Sequence, residues 1–291
     1  IGYAALTTNT TAGNNTAIGR VCLENNTGQD NTAVGSNALA ANTTASNNVA
    51  VGYQAAVANT TGTSNTALGK SSLGTNTTGD QNTAVGHNAL HFATTADKNT
   101  AVGYAALFTN TDGYSNTAVG SDALQLNTTG FKNTALGVNA LASNTTGDYN
   151  TALGEAALIS NTTADANTAV GYKALFSSQT AVRCTAVGYN ACMGGATAND
   201  NTGIGYECLH DITTGYRNTC VGSQSGMDIT TGFQNTSLGH LALYECDEGD
   251  YNTAIGEQAL RNVNSSDGDA NTALGHAAGY DVTTGGNNCL L

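Results

Sequence analysis

The sequence predicts an all-β protein: a parallel β-solenoid, of the β-helix or β-roll kind, with about 17 rungs and a 17-residue repeat. Three observations predict this class. A glycine recurs in steps of 17 residues from Gly35 to Gly256, apolar residues keep fixed places within that repeat, and the chain contains no proline. A period of 17 is too short for helical-hairpin repeats, and a coil of this period stacks equivalent residues in columns about 4.8 Å apart.

Each part of the repeat has an expected place in the coil. We number the repeat from the first Asn of NTALGVNALASNTTGDY, residues 133–149. Positions 2–4, usually Thr-Ala-Val, predict a short strand whose position 4 points into a thin core. Gly at position 5 marks a corner, and Ala and Leu at positions 8 and 9 supply a second buried patch. Asn-Thr-Thr-Gly at positions 12–15 predicts an exposed turn.

The asparagine at position 1 is expected to form a ladder along the solenoid. Its side-chain amides would stack and hydrogen-bond from rung to rung, which enforces the register of the strands. The ladder residues are Asn31, Asn48, Asn65, Asn82, Asn99, Asn116, Asn133, Asn150 and Asn167.

Composition and charge limit the domain organisation and the partners. We expect one continuous solenoid over residues 1–291, with regular, sequon-rich repeats over 1–175 and more degenerate, cysteine-rich repeats over 176–291. The net charge is −13, and no Lys or Arg cluster is present, so no nucleic-acid partner is expected. No run approaches the roughly 18 apolar residues of a transmembrane helix, so no membrane insertion is expected.

The phrase NTAVG followed by xxAL resembles the repeat in the β-roll heads of trimeric autotransporter adhesins. It is also similar to repeats of phage tail-fibre and endosialidase-type fibre proteins. The resemblance covers nearly the whole chain through a five-residue motif, and it implies an extracellular or cell-surface fibre or adhesin. The adhesin-head repeat is shorter and lacks the inserted NTTG, so a self-contained single-chain solenoid is favoured here over a trimer.

Asn-x-Ser/Thr sequons recur along one edge of the predicted coil. N-glycans on them could form a stripe along the exposed turn, whereas the alternative is that Asn-Thr-Thr is simply a favourable turn sequence. The candidates at position 12 are Asn9, Asn42, Asn59, Asn76, Asn127, Asn144 and Asn161. Those at other positions are Asn14, Asn25, Asn235 and Asn264.

Most of the cysteines lie in the later, degenerate repeats, between residues 184 and 246. In an extracellular setting, cysteines on neighbouring rungs can form disulfides if their Cα atoms lie close enough. We expect Cys192 to pair with Cys208, and Cys220 with Cys246 as the second pairing. These disulfides would join neighbouring rungs.

The odd cysteine count leaves one thiol free or joined to another subunit, with Cys22 and Cys289 as candidates. One alternative is that each Cys is a small buried residue in an alanine-sized place. Another is a zinc site formed by Cys208, His210 and a third ligand, although no Cys-x-x-Cys spacing supports it.

The remaining polar residues do not predict catalysis or a cofactor. The histidines lie at variable corner positions and are expected to be solvated: His87, His91, His210, His240 and His276. Acidic residues at positions 16 and 17 predict a charged rim, with weak Ca²⁺ binding as an alternative: Asp30, Asp80, Asp97, Asp148 and Asp165. A column of tyrosines at position 6 predicts partial aromatic stacking rather than a sugar-binding platform.

Together these observations predict a non-catalytic structural subunit of an extracellular fibre. A solenoid without caps leaves an unpaired strand edge at each end, so copies are expected to join head-to-tail into a homopolymer. The contact candidates are Ile1, Gly2, Cys22, Cys289, Leu290 and Leu291. The competing explanation places residues 1–291 inside a longer polypeptide whose caps lie elsewhere.

Two other function classes stay open. The first is the shaft or head of a cell-surface adhesin or a phage-type tail fibre. The second is an ice-binding protein that uses threonine ladders at position 2: Thr32, Thr66, Thr83, Thr100 and Thr117. A flat ice-binding face needs a second outward rank two residues along the same strand, and position 4 is apolar instead, which argues against that class.

Overall fold

The computed structural model describes residues 1–195, 197–263 and 269–291. Within these residues it contains 17 short parallel strands and no helix, so the predicted all-β, parallel solenoid with a 17-residue repeat is confirmed. The chain divides into two compact units, Ile1–Asp148 and Tyr149–Leu291. A search of the described residues finds no helix with the length and apolarity needed to cross a membrane.

The first unit contains eight strands that pair consecutively. They are β1 (Thr16–Ile18), β2 (Thr32–Val34), β3 (Val49–Val51), β4 (Thr66–Leu68), β5 (Thr83–Val85), β6 (Thr100–Val102), β7 (Thr117–Val119) and β8 (Thr134–Leu136). Each strand is parallel to the next and in register with it, so Thr83 lies opposite Thr100, and Thr100 opposite Thr117. Equivalent residues therefore form columns, as predicted.

The second unit contains nine strands arranged in the same way. They are β9 (Thr151–Leu153), β10 (Thr168–Val170), β11 (Thr185–Val187), β12 (Thr202–Ile204), β13 (Thr219–Val221), β14 (Thr236–Leu238), β15 (Thr253–Ile255), β16 (Thr272–Leu274) and β17 (Cys289–Leu290). Here too each strand pairs in parallel with the next, for example Thr168 with Thr185.

The strands point alanine into the core and the larger aliphatic residue outward. In β6 the middle residue, Ala101, is fully buried, whereas Thr100 and Val102 are partly exposed. The same burial pattern holds in every strand from β1 to β16, with Gly203, Cys220 and Ser237 in place of Ala in β12, β13 and β14. The prediction that position 4 points into the core is therefore wrong. Asn at position 1 is buried, and alternation along a strand then places position 3 inside and positions 2 and 4 outside.

The core is thin and contains a high proportion of small and polar side chains. Leu at position 9 is its largest regular member, as at Leu90, Leu107 and Leu124, which are all fully buried. Ala at positions 3 and 8 and Asn at positions 1 and 12 complete it, for example Ala106 and Asn110. Small residues let the strand lie close to the opposite segment, positions 8–12 of the same rung.

The corners depend on unusual backbone conformations. The glycine at position 5 has φ between 130° and 145° in every rung, and a Cβ on Gly103 would collide with the carbonyl group of Gly120 on the next rung. Positions 7, 9 and 17 are also left-handed but carry side chains, as at Asn88 (φ 60°), Leu90 (φ 51°) and Lys98 (φ 59°). The repeated glycine is therefore required by close contact between rungs as well as by its φ angle.

Candidate functional site

The outward positions 2 and 4 of the strands form the most regular surface of each unit. We call it the Thr/aliphatic face: the first and third residues of strands β1–β8 in the first unit and β9–β16 in the second. Position 2 is Thr in all of these strands except at Val49, and position 4 is always Val, Ile or Leu. The face carries no charged residue, although the chain has a net charge of −13.

In the aliphatic column of this face, half of the residues are exposed and the other half are partly exposed. Leu136 is 44% exposed in the first unit, and Leu238 is 49% exposed in the second. Contiguous exposed apolar surface commonly marks an interaction site.

Two columns of threonine differ in what their hydroxyl groups bind. At position 13 the hydroxyl donates to a main-chain carbonyl oxygen of the next rung, from Thr60 to Thr77 at 2.8 Å and from Thr128 to Thr145 at 2.9 Å. At position 2, on the Thr/aliphatic face, the hydroxyls of the five predicted residues make no hydrogen bond to any residue that the structure describes: Thr32, Thr66, Thr83, Thr100 and Thr117. These outward hydroxyls are available to a ligand or to water.

The position-1 asparagines form a ladder, but its links differ from the expected amide stack. The main-chain N–H of each Asn donates to the side-chain Oδ1 of the Asn one rung earlier, from Asn65 to Asn48 at 2.9 Å and from Asn82 to Asn65 at 2.9 Å. The side-chain Nδ2 of Asn65 donates to the carbonyl oxygen of Gly79, at 2.7 Å. All nine predicted ladder residues are at most 1% exposed.

The position-12 asparagines form a second buried ladder that sequence reasoning missed. The Nδ2 of Asn59 donates to Oδ1 of Asn42 at 3.0 Å and to the carbonyl oxygen of Gly62 at 2.9 Å. Gly62, at position 15, also accepts from Nδ2 of Asn48, at 2.9 Å. Both asparagine columns therefore converge on one carbonyl oxygen in each such rung.

The predicted exposure of the position-12 sequons is wrong, because from Asn42 to Asn161 these acceptor amides lie inside the core. Both protons of a position-12 Nδ2 are used in hydrogen bonds, and a glycan would replace one of them. Seven of the predicted acceptors are fully buried: Asn42, Asn59, Asn76, Asn127, Asn144, Asn161 and Asn235.

The other sequons differ in their exposure. Asn14 and Asn25 are exposed. Asn9 is half-buried, with its Nδ2 donating to Ala12 at 3.0 Å. Asn264 lies outside the described residues.

The structure contradicts both predicted disulfides. All seven cysteines are free thiols, including Cys192, Cys208, Cys220 and Cys246. Cys192 and Cys208 are linked through their main chains, N–H to carbonyl oxygen at 2.9 Å, while the Cys208 thiol donates to the carbonyl oxygen of Cys220 at 3.1 Å. The six buried thiols take the place of Ala, Asn or, at Cys192, Leu in the core columns, which matches the alternative of small buried residues.

Burial also sets the chemistry of these thiols. Removal from water raises the pKa of Cys192 well above its ordinary value and that of Cys246 to about 12. Cys22 is fully buried, and its thiol donates to the carbonyl oxygen of Gly35 at 2.7 Å, so burial favours a free thiol here over one joined to another subunit. Cys289 is exposed.

Aromatic side chains stack in two columns. At position 6 the rings of Tyr172, Tyr189 and Tyr206 stack with centroids 5.2 and 5.5 Å apart, in line with the expected partial stacking. At position 16, stacked pairs occur that sequence reasoning did not anticipate: Tyr114 with Phe131 and Tyr216 with Phe233. Stacking of aromatic rings on neighbouring rungs reinforces the register.

The position-16 acids bind the main chain of the preceding rung. The N–H of Thr63 donates to Asp80 at 2.6 Å, and the N–H of Asp80 donates to Asp97 at 2.7 Å. A carboxylate that accepts a main-chain N–H in this way stabilises the stack, so these side chains do more than form a soluble rim.

A second acidic group lines a cavity of about 530 Å³ in the second unit. Its lining residues are Asp211, Asp228, Thr230, Tyr244, Glu245 and Asp247. Burial, followed by the nearby carboxylates, raises the pKa of Asp228. The described residues include no group of three His, Cys, Asp or Glu arranged to hold a metal ion, so Cys208 and His210 have no third ligand of this kind beside them there.

In comparisons with known proteins, no family model, no curated protein and no solved structure matches this chain. The resemblance to adhesin-head repeats therefore rests on the short NTAVG motif alone.

Proposed function

We propose that this chain is a non-catalytic structural segment of an extracellular fibre. The observation that supports it most strongly is the convergence of the two asparagine columns on the position-15 carbonyl oxygen. In one rung Asn65 and Asn76 donate to Gly79 at 2.7 and 3.0 Å. In another, Asn116 and Asn127 donate to Gly130 at 2.8 and 2.9 Å.

Buried, hydrogen-bonded asparagine side chains favour a mechanical role for the protein over a catalytic one. A buried amide is costly when unpaired, but these amides are bonded both within a rung and to the neighbouring rung. Opening one rung therefore breaks side-chain bonds as well as the main-chain ladder. A fibre segment that resists extension would benefit from this arrangement.

Force spectroscopy on the single chain tests the proposal. We expect stepwise extension in which one 17-residue rung releases about 60 Å of contour length. Asn82→Ala should lower the force at which the first unit opens, because it removes the acceptor for the N–H of Asn99 and the donor to Ala96. The control Thr83→Ala, at an outward position, should leave that force unchanged. Extension at negligible force in the unmodified chain would contradict the proposal.

We further propose that copies associate head-to-tail, as the sequence led us to expect. Negative-stain electron microscopy across a concentration series should show particles whose length grows with concentration. Particles of one constant length at all concentrations would contradict association, while leaving the force measurement as a separate test of the structural role.

A further inference from the structure

The Thr/aliphatic face repeats in two directions. Across the strands, identical residues recur at the inter-strand spacing of about 4.8 Å, and along each strand the two outward side chains lie about 6.7 Å apart. The register Thr83, Thr100, Thr117 and the register Val85, Val102, Val119 show the grid in the first unit. Strands β10 and β11 repeat it in the second, with Val170 opposite Val187.

The chemistry of the grid is uniform and uncharged. Each node is a methyl-bearing side chain, and every Thr adds a hydroxyl. The position-2 hydroxyls named above bind nothing within the described protein, whereas the position-13 threonines of the same rungs spend theirs on the main chain. The acidic residues that give the chain its net charge of −13 all lie off this face.

We propose that the Thr/aliphatic face binds ice. The two repeats of the grid are close to the two oxygen repeats on a prism face of hexagonal ice, so hydroxyls and ordered water between the methyl groups can continue the lattice. Charged groups would hold water in orientations that do not fit that lattice, and the face has none. This inference does not depend on the fibre role.

The observation that most strongly supports ice binding is that position 4 points outward. With position 4 in the core, only one rank of Thr would face outward, and a single rank cannot match a lattice in two dimensions. The structure turns position 4 outward beside the Thr rank, as in β6, where Thr100 and Val102 flank the buried Ala101.

A second copy of the chain is the competing occupant of an exposed apolar sheet face. Two such faces packed together would bury the position-2 hydroxyls, and each would then need a partner across the interface. Ice supplies a partner to every hydroxyl, so the unbonded Thr rank favours ice over a second copy.

The test measures thermal hysteresis, the non-colligative lowering of the freezing point, on the complete chain. We expect the unmodified protein to show hysteresis and to adsorb to a prism plane of a single ice crystal. The double variant Thr100→Tyr with Thr185→Tyr places one bulky ring on the face of each unit and should reduce hysteresis several-fold. The matched control, Thr78→Tyr with Thr214→Tyr, changes exposed position-14 threonines off the face and should retain it.

Circular dichroism melting verifies that both double variants are folded. Absence of hysteresis in the folded, unmodified protein overturns the proposal, as does an equal loss in the face variant and the control. Sedimentation velocity provides the remaining outcome. An unmodified protein that is a dimer, and becomes a monomer in the face variant alone, would assign the face to a second copy instead of ice.

Discussion

At the scale of single residues, one break in the position-12 ladder stands out. Asn76 Oδ1 is buried and has no hydrogen-bond donor among the described residues. The cause is the next residue in the column, Ala93, which has no amide to donate. On either side of it, the ladder is intact from Asn42 to Asn76 and from Asn110 to Asn144.

We predict that Ala93→Asn stabilises the protein. The new Nδ2 would donate to Asn76 Oδ1, and the new Oδ1 would accept from Asn110. A buried acceptor that regains its partner should raise the free energy of unfolding by about 1–2 kcal/mol, measured by urea denaturation. The control Ala93→Val fills the same place without an amide, as Val263 does in its own rung. An equal gain from Val would show that packing, not the hydrogen bond, is responsible.

We predict that burial of the Cys246 thiol lowers the free energy of unfolding at alkaline pH. Burial raises its pKa from 9.0 to about 12, so between these values the unfolded chain loses a proton that the folded chain keeps. The stabilising preference for the thiol form is complete below pH 9, and above it the free energy of unfolding falls by about 1.4 kcal/mol per pH unit for this thiol.

The variant Cys246→Val should reduce that slope, because it removes the titrating thiol. Val is a suitable replacement, since Val263 is buried at the same position of the next rung. It should not abolish the slope, since burial raises the pKa of Cys192 as well. Denaturation at several pH values between 9 and 11 measures it. Cys289→Ser, at an exposed thiol, is the control and should leave the slope unchanged. Identical slopes in all three proteins would contradict the assignment.

At the scale of the strand, the two neighbouring positions 3 and 4 should respond to substitution in opposite ways. Ala101 is fully buried and Val102 is partly exposed. We expect Ala101→Val to lower the free energy of unfolding by about 1–3 kcal/mol, because the added methyl groups overpack the thin core. Val102→Ala removes outward surface and should cost less than about 1 kcal/mol. Urea denaturation of both variants decides it, and the reverse order of costs would place position 4 in the core.

In the strand, part of the structure could be predicted from the sequence and part could not. The 17-residue period, the strand at positions 2–4 and the corner at Gly103 and its equivalents follow from the repeat alone. The inward face does not, because Thr-Ala-Val has an apolar residue on each side of the strand. A usable signal is present: position 3 of strands β1–β16 is always Ala, Gly, Cys or Ser, as at Gly203 and Ser237, whereas position 4 varies in size. A place that admits only small residues is limited by packing.

The second asparagine ladder, at position 12, was not predicted because its sequence matches patterns that are typical of exposed asparagines. Asn-Thr-Thr matches both a turn and a glycosylation sequon, and each of these suggests an exposed asparagine. The column itself gives the contrary signal. In later rungs position 12 is Ile212, Ile229 or Val263, and an aliphatic residue at a repeated position indicates burial. Which hydrogen bonds a buried amide makes is decided by the coil geometry, and no sequence pattern encodes it.

At the scale of the whole molecule, the polar groups divide between two tasks. Buried amides and position-16 carboxylates connect rungs, while the Thr/aliphatic face excludes charge although the chain carries a net charge of −13. A charged, soluble surface and an uncharged face can therefore coexist on one repeat, because each has its own positions. Substitutions on the face should consequently alter binding with little effect on folding.

The last prediction concerns the whole chain: which cysteines are accessible to a reagent, and which asparagines carry glycans. We expect a thiol reagent to label one cysteine, Cys289, in the native protein, because the other six are buried. In denaturant without reductant, all seven should react, since no disulfide is present. Cys289→Ser is the matched control: the native protein should then show no labelling.

Intact mass of protein secreted by a glycosylating host completes this measurement. Because the Asn59 amide is buried and doubly bonded, the folded product should carry no glycan at Asn59 or at the other fully buried position-12 asparagines, whereas the exposed Asn14 and Asn25 can accept one. Fewer than seven reactive thiols after denaturation would restore a disulfide to the second unit. A glycan mapped to Asn59 in folded protein would require that amide to leave the core, and with it the ladder that joins the rungs.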